Sequence, residues 1–260
     1  MTKSSLRLRI FAGPNGSGKS TIINAVRKYR VKEIPVDFGI YINADDIAYL
    51  LWNKGVNFDA FEIKVKDNEF VDIVLQSGLI GKKFTEMEFR ESYTIHANKL
   101  TLIKKDKADR VAQIIADYLR KKLLQERKKF SFETVFSHSS KLEIMKQAIE
   151  AGYKVYLYFV STEDPEINKF RVKKVRVAVG GHDVPEDKIV SRYYRSLELL
   201  YEASQLTYQT YFFDNSKDGE EFKLFAHFKN INDSKTWDEI DKEKVPRWFV
   251  NYYSNKIKHQ

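Results

Sequence analysis

The sequence predicts an α/β protein in which a mainly parallel five-stranded sheet lies between two layers of helices. Five apolar stretches have the length and composition of buried strands, and helical patterns separate most of them. Strands that alternate with helices favour parallel pairing, with helices on both faces of the sheet. In chain order, the five stretches are LRLRIFAG, FGIYINA, FSFETVF, YKVYLYFVS and QTYFFDNS.

Helical patterns lie between and after these strands. Pro165 and Pro185 stand near the starts of the last two, where the missing N–H of proline costs no hydrogen bond. This placement supports the start of a helix at each proline. The helices are predicted near residues 20–31, 46–53, 107–128, 140–151, 165–178 and 185–206.

The pattern also predicts how the chain is organised. Residues 1–52 and 107–216 are expected to form the core. Residues 53–106 alternate apolar and polar positions between turn signals, which predicts a β-containing, partly antiparallel insertion. Residues 217–260 are expected to form a C-terminal extension packed on the core. In that extension, EEFKLFAHFKN predicts a strand or hairpin, and VPRWFVNYY predicts a short aromatic helix.

Composition limits the function of the chain. Of its 260 residues, 43% are hydrophobic, which is enough for a substantial core. No apolar run approaches the roughly 20 residues that span a bilayer, so we expect a cytoplasmic protein without a membrane partner. Cysteine is absent, which excludes disulfides and thiolate–zinc sites. The formal net charge of +9 favours anionic partners such as nucleotides, nucleotide sugars, nucleic acids or an acidic protein, without choosing among them.

The stretch GPNGSGKST carries a phosphate-binding motif. Gly13, Gly18, Lys19 and Ser20 have the spacing of a P-loop, between a strand and a helix. Such a loop turns backbone N–H groups and the positive end of the helix toward an anion, while Lys19 reaches the outer phosphates and Ser20 offers a hydroxyl to Mg²⁺. We therefore expect the three-layer fold of P-loop NTPases and kinases, with ATP and Mg²⁺ as cofactors. The expected nucleotide-binding residues are Gly13, Asn15, Gly16, Ser17, Gly18, Lys19, Ser20 and Thr21.

Acidic residues follow three of the predicted strands, at the edge where such sheets bind ligands. After the second strand, Asp45 is the preferred base to take the proton of an acceptor hydroxyl, and Asp46 is expected to contact substrate. The alternative role of this pair is to cap the next helix. Glu133 and Thr134 end the third strand and are expected to bind substrate, although Glu133 could also organise Mg²⁺ through water. Asp214 ends the fifth strand, and it or Glu133 could instead pair with an arginine for structural reasons.

Arginine is concentrated after the fourth strand. Arg171 and Arg176 lie on one predicted helix, the stretch GGHDVP forms a turn, and Arg192 and Arg195 share a face of the next helix. Two such helices could form a lid that brings positive charge onto a transferring phosphoryl group. The alternative is an exposed basic helix face. We assign Arg176, Arg192 and Arg195 to the candidate lid.

Taken together, GPNGSGKST, INADDIA, FSFETVFS, GGHDVPEDKI and RYYRSL resemble the zeta-toxin family of P-loop kinases, in particular its compact branch, which is often labelled as predicted ABC-type ATPases. The resemblance covers about residues 1–50 and 108–216. It implies a kinase that phosphorylates a sugar hydroxyl of UDP-N-acetylglucosamine, and a separate antitoxin as a partner. The family's catalytic Asp falls on Asp45, its substrate-binding Glu on Glu133, and its lid arginines on Arg176 and on Arg192 or Arg195. The insertion at 53–106 departs from the family where the family shapes its acceptor site.

Three other functions compete with this interpretation. A true ABC ATPase would carry an LSGGQ-like signature and a strand that ends in Asp-Glu, and the sequence has neither. A nucleic-acid kinase or RNA-binding NTPase suits the positive charge, but no known nucleic-acid module is evident. A nucleotide-binding ATPase without a kinase acceptor would bind ATP through the same loop, so the motif alone does not separate it from a kinase.

Overall fold

The computed structural model describes residues 5–176, 184–231, 234–238, 240 and 242–258. The chain forms two compact units, the first made of Met1–Phe38 with Glu133–Gln260 and the second of Gly39–Phe132. The second unit is therefore wider than the insertion predicted at 53–106, because the helices that flank that segment pack against each other inside the unit. Among the described residues, no helix combines the length and apolar character needed to cross a membrane.

Strands and helices alternate along most of the chain. The strands are β1 (Arg7–Ala12), β2 (Arg30–Val31), β3 (Ile34–Pro35), β4 (Ile40–Ile42), β5 (Val56–Asn57), β6 (Tyr93–His96), β7 (Lys99–Leu102), β8 (Phe130–Thr134), β9 (Lys154–Ser161), β10 (Gln209–Asp214), β11 (Lys223–Ile231) and β12 (Ser234–Trp237). The α-helices are α1 (Lys19–Lys28), α2 (Ala44–Asn53), α3 (Asp67–Leu75), α4 (Glu86–Arg90), α5 (Ala108–Gln125), α6 (Ser140–Glu150), α7 (Pro165–Arg171), α8 (Glu186–Glu198), α9 (Leu200–Gln205), α10 (Arg247–Phe249) and α11 (Asn255–Lys258). Short 3₁₀ segments lie at Phe58–Phe61, Lys105–Lys107 and Lys242–Lys244, and π-helical turns at Val172–Arg176 and Val250–Ser254.

A sheet of mixed direction forms the centre of the first unit. β9 lies between β1 and β10 and is parallel to both, while β11 is antiparallel to β10 and β12 to β11. β1 and β9 are apolar and buried along most of their length, as expected for parallel strands covered on both faces. Because β1, β9 and β10 run in the same direction, their carboxyl ends lie at one edge, where Gly13, Thr162 and Asn215 follow directly.

The C-terminal extension belongs to the core of the first unit. β11 provides the strand expected in EEFKLFAHFKN, and α10 begins the helical segment expected in VPRWFVNYY. The Phe249 ring lies 4.9 Å from the Phe212 ring of β10 between centroids. Trp248 is only 2% exposed, and its indole N–H donates a 2.9 Å hydrogen bond to Asp214. The extension thus packs against β10, through the contacts of Phe249 with Phe212 and of Trp248 with Asp214.

In the second unit, β4 is parallel to residues Phe130–Phe132 of β8, whose last two residues belong to the first unit, and β5, β7 and β6 form a separate antiparallel sheet. The five predicted strands are β1, β4, β8, β9 and β10, and the mainly parallel α/β class is confirmed. Residues 53–106 contain the antiparallel strands that alternation predicts, together with helices α3 and α4. The apolar side chains of α3 recur at helical spacing and are buried. They are Phe70, Val71, Ile73 and Val74.

Several helices end earlier than the sequence predicts. The helix expected at 20–31 ends at Lys28, because Lys32 and Glu33 adopt positive φ angles of 49° and 64° and reverse the chain between β2 and β3. The helix expected at 165–178 becomes π-helical at Val172, and the one expected at 185–206 is divided at Leu199. The predicted turn GGHDVP begins outside the described residues, which resume at residue 184.

Candidate functional site

The loop of residues 13–18 joins β1 to α1 in the geometry that its sequence requires. Gly13 and Gly18 have φ angles of 149° and 94°, which residues with a Cβ rarely adopt. A Cβ on Gly13 would lie 2.0 Å from the carbonyl oxygen of Val160, and one on Gly18 would lie 2.2 Å from Nδ2 of Asn215. The loop therefore lies against the segments that end β9 and follow β10.

Lys19, the first residue of α1, is turned back into the loop. Its ammonium group donates hydrogen bonds of 3.0 Å to the carbonyl oxygen of Gly13 and 2.9 Å to that of Pro14. The Lys19 Nζ atom also lies 3.9 Å from Oε1 of Glu133, and the two side chains are 8% and 16% exposed. A fixed, nearly buried cation with a carboxylate beside it is thus present at the carboxyl edge of the sheet.

The loop has hydrogen-bonding groups that lack a partner among the described residues. Within the part of the chain that the structure describes, the N–H groups of Gly16 and Gly18 have no acceptor. Ser17 Oγ and Asn15 Oδ1 are buried and lack partners there. The first turn of α1 has neither an acidic residue nor a side-chain cap, so the helix itself provides no negative group at its positive end. The two amides, the Ser17 hydroxyl and the helix end can all donate to or attract an anion, whereas Asn15 Oδ1 is an acceptor and does not contribute.

Ser20 and Thr21 lie on the exposed surface of the first turn of α1. Ser20 is the residue that could offer a hydroxyl to Mg²⁺ carried in with a nucleotide. The described residues include no cluster of three or more His, Asp or Glu side chains able to hold a metal. The metal role of Ser20 stays a prediction.

The acids that end the strands of the first unit differ in their surroundings. Glu133 lies beside Lys19, and the hydroxyl of the next residue, Thr134, accepts a 3.2 Å hydrogen bond from the N–H of Phe136. Asp214 accepts hydrogen bonds from the Trp248 indole at 2.9 Å and the Ser216 hydroxyl at 2.7 Å. Asp214 thus has structural partners, but neither of them is the arginine considered from the sequence. Glu133, in contrast, lies beside the anion site.

Asp45 and Asp46 lie in the second unit, in the first turn of α2, and both are exposed. The N-cap of this helix is Asn43, whose Oδ1 accepts a 2.8 Å hydrogen bond from the N–H of Asp45. Neither aspartate is the N-cap residue, so the alternative role considered from the sequence is wrong in that respect. Both carboxylates still stabilise α2, because their negative charge lies at the positive end of the helix.

The structure distinguishes the arginines that the sequence groups together. The Arg171 guanidinium donates hydrogen bonds to Asp218 and to the Asn215 carbonyl oxygen, which ties it to the loop after β10. The side chain of Arg176 lies outside the described residues. Arg195 is exposed and donates a 3.2 Å hydrogen bond to the Ser191 carbonyl oxygen one turn earlier on its helix.

Arg192 has different surroundings. It is half-buried, and within the described part of the chain it has no hydrogen bond or ion pair. Burial, followed by the like charge of Arg195, lowers the pKa of Arg192. A guanidinium is still fully protonated near neutral pH, because its ordinary pKa is above about 12. Of the two lid arginines whose side chains the structure describes, Arg192 is therefore the one whose charge no described group neutralises.

Two asparagines that sequence reasoning missed lie against the loop. Asn168 on α7 donates a 2.5 Å hydrogen bond to the carbonyl oxygen of Asn15. Asn215, after β10, donates a 2.9 Å hydrogen bond to that of Ser17. The only signal in the sequence is that Asn215 directly follows a predicted strand, on the edge where ligands bind.

Comparison with known proteins agrees with this geometry. No sequence model of a protein family matches the chain. A 64-residue segment is 39% identical to an uncharacterized protein of Haemophilus influenzae and covers 25% of this chain and 45% of that protein. A chain of the AvrRxo1-ORF1:AvrRxo1-ORF2 complex with sulphate ions is similar over 89% of this chain and 60% of that one, with a TM-score of 0.52 and 13% identity. A chain of the same complex solved with ATP is similar over 92% of this chain and 62% of that one, with a TM-score of 0.51 and 13% identity.

These structural likenesses establish the fold. The chain shares its fold with the solved chains of the AvrRxo1-ORF1:-ORF2 complex, and its mixed, mostly parallel α/β architecture is the class that the sequence predicts. It spans about three fifths of the solved chains to which it is similar and less than half of the curated relative.

Proposed function

We propose that this protein is a kinase that transfers the γ-phosphate of ATP to an alcohol hydroxyl. The observation that carries the proposal is the loop itself, in which the Lys19 ammonium lies 3.9 Å from Glu133 while the Gly16 and Gly18 amides have no described partner. A site built of amides, a helix end and a lysine is better suited to bind a nucleoside polyphosphate than to bind a ligand with a single carboxylate. A complex with this fold, AvrRxo1-ORF1:-ORF2, has been solved with ATP.

The proposed reaction is an in-line phosphoryl transfer. The acceptor oxygen forms a bond to the γ-phosphorus, the bond to the β–γ bridging oxygen breaks, and ADP leaves with that electron pair. The proton of the acceptor hydroxyl passes to Asp45, whose role rests on its position after the second predicted strand and on the family resemblance. Lys19 and the lid arginines, Arg176 with Arg192 or Arg195, neutralise charge that develops on the phosphoryl oxygens. The Ser20 hydroxyl would hold a Mg²⁺ ion that arrives with the nucleotide, and that ion would supply further positive charge.

The proposed acceptor is a nucleotide sugar such as UDP-N-acetylglucosamine. A dianionic second ligand suits a protein with a net charge of +9. Glu133 and Thr134 supply a carboxylate and a hydroxyl at the carboxyl end of β8, where they could bind a sugar hydroxyl, and Asp46 is proposed as a further substrate contact. The family resemblance supports the same acceptor class.

We also propose a separate protein partner of the antitoxin kind. The resemblance to zeta toxins supports it, and AvrRxo1-ORF1 was solved as a complex with AvrRxo1-ORF2. The full chain used as bait should retain a partner whose removal by washing at high salt restores phosphoryl transfer. Equal transfer before and after that removal would contradict an inhibitory partner.

The acceptor is tested by incubating the protein with ATP, Mg²⁺ and separate panels of UDP-sugars, nucleosides and nucleic-acid 5′ ends. Mass spectrometry should show a UDP-sugar that gains one phosphoryl group, while the other panels stay unchanged. A Lys19→Ala variant is the control for a contaminating kinase. Phosphorylation of a nucleic-acid end alone would replace the proposed acceptor, whereas slow ATP hydrolysis without any acceptor would leave only a nucleotide-binding ATPase.

A further inference from the structure

The two asparagines beside the loop each hold one peptide group of it. Asn168 donates to the Asn15 carbonyl oxygen at 2.5 Å, and Asn215 donates to the Ser17 carbonyl oxygen at 2.9 Å. Asn168 is completely buried and Asn215 is half-buried. Both bonds join residues far apart in the chain, so they exist only in the folded unit.

Each bond also determines the direction of the amide that follows. In a planar trans peptide, the C=O and the next N–H point in opposite directions. The Asn15 carbonyl faces Asn168, so the Gly16 N–H faces away from that side chain. By the same geometry, the Gly18 N–H faces away from Asn215. These are the two loop amides for which the described part of the chain provides no acceptor.

The asparagines are themselves held in place. The Asn168 Oδ1 atom accepts a short hydrogen bond from the Thr162 hydroxyl at the end of β9. The Asn215 N–H donates a 2.9 Å hydrogen bond to the Ser161 carbonyl oxygen. The Asn215 carbonyl oxygen accepts a 2.7 Å hydrogen bond from Arg171, the residue one turn after Asn168 on α7. Helix α7 therefore contacts the loop directly through Asn168, and its Arg171 holds Asn215, which contacts the loop at Ser17.

The approach is close enough to require glycine. A Cβ on Gly16 would lie 2.7 Å from the Asn168 carbonyl oxygen, and one on Gly18 would lie 2.2 Å from the Asn215 amide nitrogen. The glycines thus allow both the loop conformation and the contact with the asparagines. The bonds fix amide directions before any ligand binds, which lowers the cost of ordering the site on binding.

We infer that Asn168 and Asn215 are positioning residues that aim the Gly16 and Gly18 amides at the β-phosphate of a bound nucleotide. The inference rests on the proposed function, because it assumes that the ligand of the loop is a nucleoside di- or triphosphate. Loss of either side-chain amide would free one peptide to rotate. The binding site would then lose one aimed donor without losing Lys19 or the helix end.

The test uses ADP, which has the β-phosphate and is not a phosphoryl donor. Calorimetric titration of Asn215→Ala and Asn168→Ala should show ADP affinity lowered by about tenfold in each, the scale of one hydrogen bond to a charged group. Asn24→Ala, on the exposed face of α1, is the matched control and should bind ADP as the wild type does. Lys19→Ala tests the proposed function separately.

Backbone amide NMR supplies a readout that a general loss of stability would not give. In the wild type, ADP should shift both the Gly16 and Gly18 amide resonances. Asn215→Ala should lose the Gly18 shift and keep that of Gly16, and Asn168→Ala should do the reverse. Wild-type ADP affinity in both variants, or equal loss of the two shifts in each, would overturn the inference. If Lys19→Ala still abolishes nucleotide binding in that case, the proposed function stands without the inference.

Discussion

Arg192→Ala is expected to lower kcat for phosphoryl transfer by about 10³-fold while changing the KM for ATP little. The half-buried guanidinium has no ion pair or hydrogen bond in the described part of the chain, so no described group neutralises its charge. Charge of this kind has its largest effect as the phosphoryl group leaves, because negative charge is then spread over its oxygens. Steady-state kinetics with the acceptor identified by the panel measures both constants.

Arg195→Ala is the matched control for this prediction. Arg195 lies on the same helix, is exposed, and donates its hydrogen bond to Ser191 within that helix. Its loss should change kcat by less than about tenfold, the scale of a screened surface charge. Arg192→Lys should restore only part of the rate, since an ammonium lacks the planar fork of a guanidinium. If the large loss follows Arg195 instead, or if only KM changes, the lid assignment of Arg192 is wrong.

Asp45→Asn should reduce phosphoryl transfer by about 10²-fold or more and leave ATP binding intact. The amide keeps the size of the carboxylate and can still hydrogen-bond, but it cannot take the proton of the acceptor hydroxyl. The structural cost should be small, because Asn43 rather than Asp45 caps α2. Initial rates of transfer, with ATP affinity measured on the same sample, separate the two effects.

Asp46→Asn controls for the electrostatic role of this turn. Asp45 and Asp46 are both exposed in the first turn of α2, so each of the two substitutions removes one negative charge from the same helix end. A loss of helix stabilisation, about 0.3–1 kcal/mol for each charge, should therefore be similar in the two variants. A rate loss in Asp46→Asn that Asp45→Asn does not show would reverse the assignment of the base.

The sequence predicts the central strands and the phosphate loop because both are determined locally. Parallel strands covered on two faces need long apolar runs, and β9 has one, whereas β1 is buried from Leu8 to Ala12 although Arg9 interrupts its apolar residues. The loop needs glycine where φ is positive or where another segment approaches within bonding distance, as at Gly13 and Gly18. Such requirements leave a pattern in neighbouring residues, which is why the strand, the loop and the following helix can be predicted together.

The remaining features depend on contacts between distant parts of the chain. Asp214 ends a strand like a catalytic acid, yet its carboxylate accepts from Trp248, which follows it by 34 residues. Asn168 and Asn215 contact the loop across 153 and 198 residues, so no local pattern predicts these contacts. The sequence does not predict helices α3 and α4, because the apolar pattern of a short segment between turns is compatible with a strand almost as well as with a helix.

The central claim, that the loop of residues 13–20 binds ATP as the phosphoryl donor, is tested most directly by calorimetric titration with ATP and Mg²⁺. The wild type should bind one ATP per chain, and Lys19→Ala should bind it at least about tenfold more weakly, because it loses charge-assisted hydrogen bonds to the outer phosphates. Asn24→Ala should match the wild type. Equal affinity in the wild type and Lys19→Ala, or no binding by the wild type, would contradict the account.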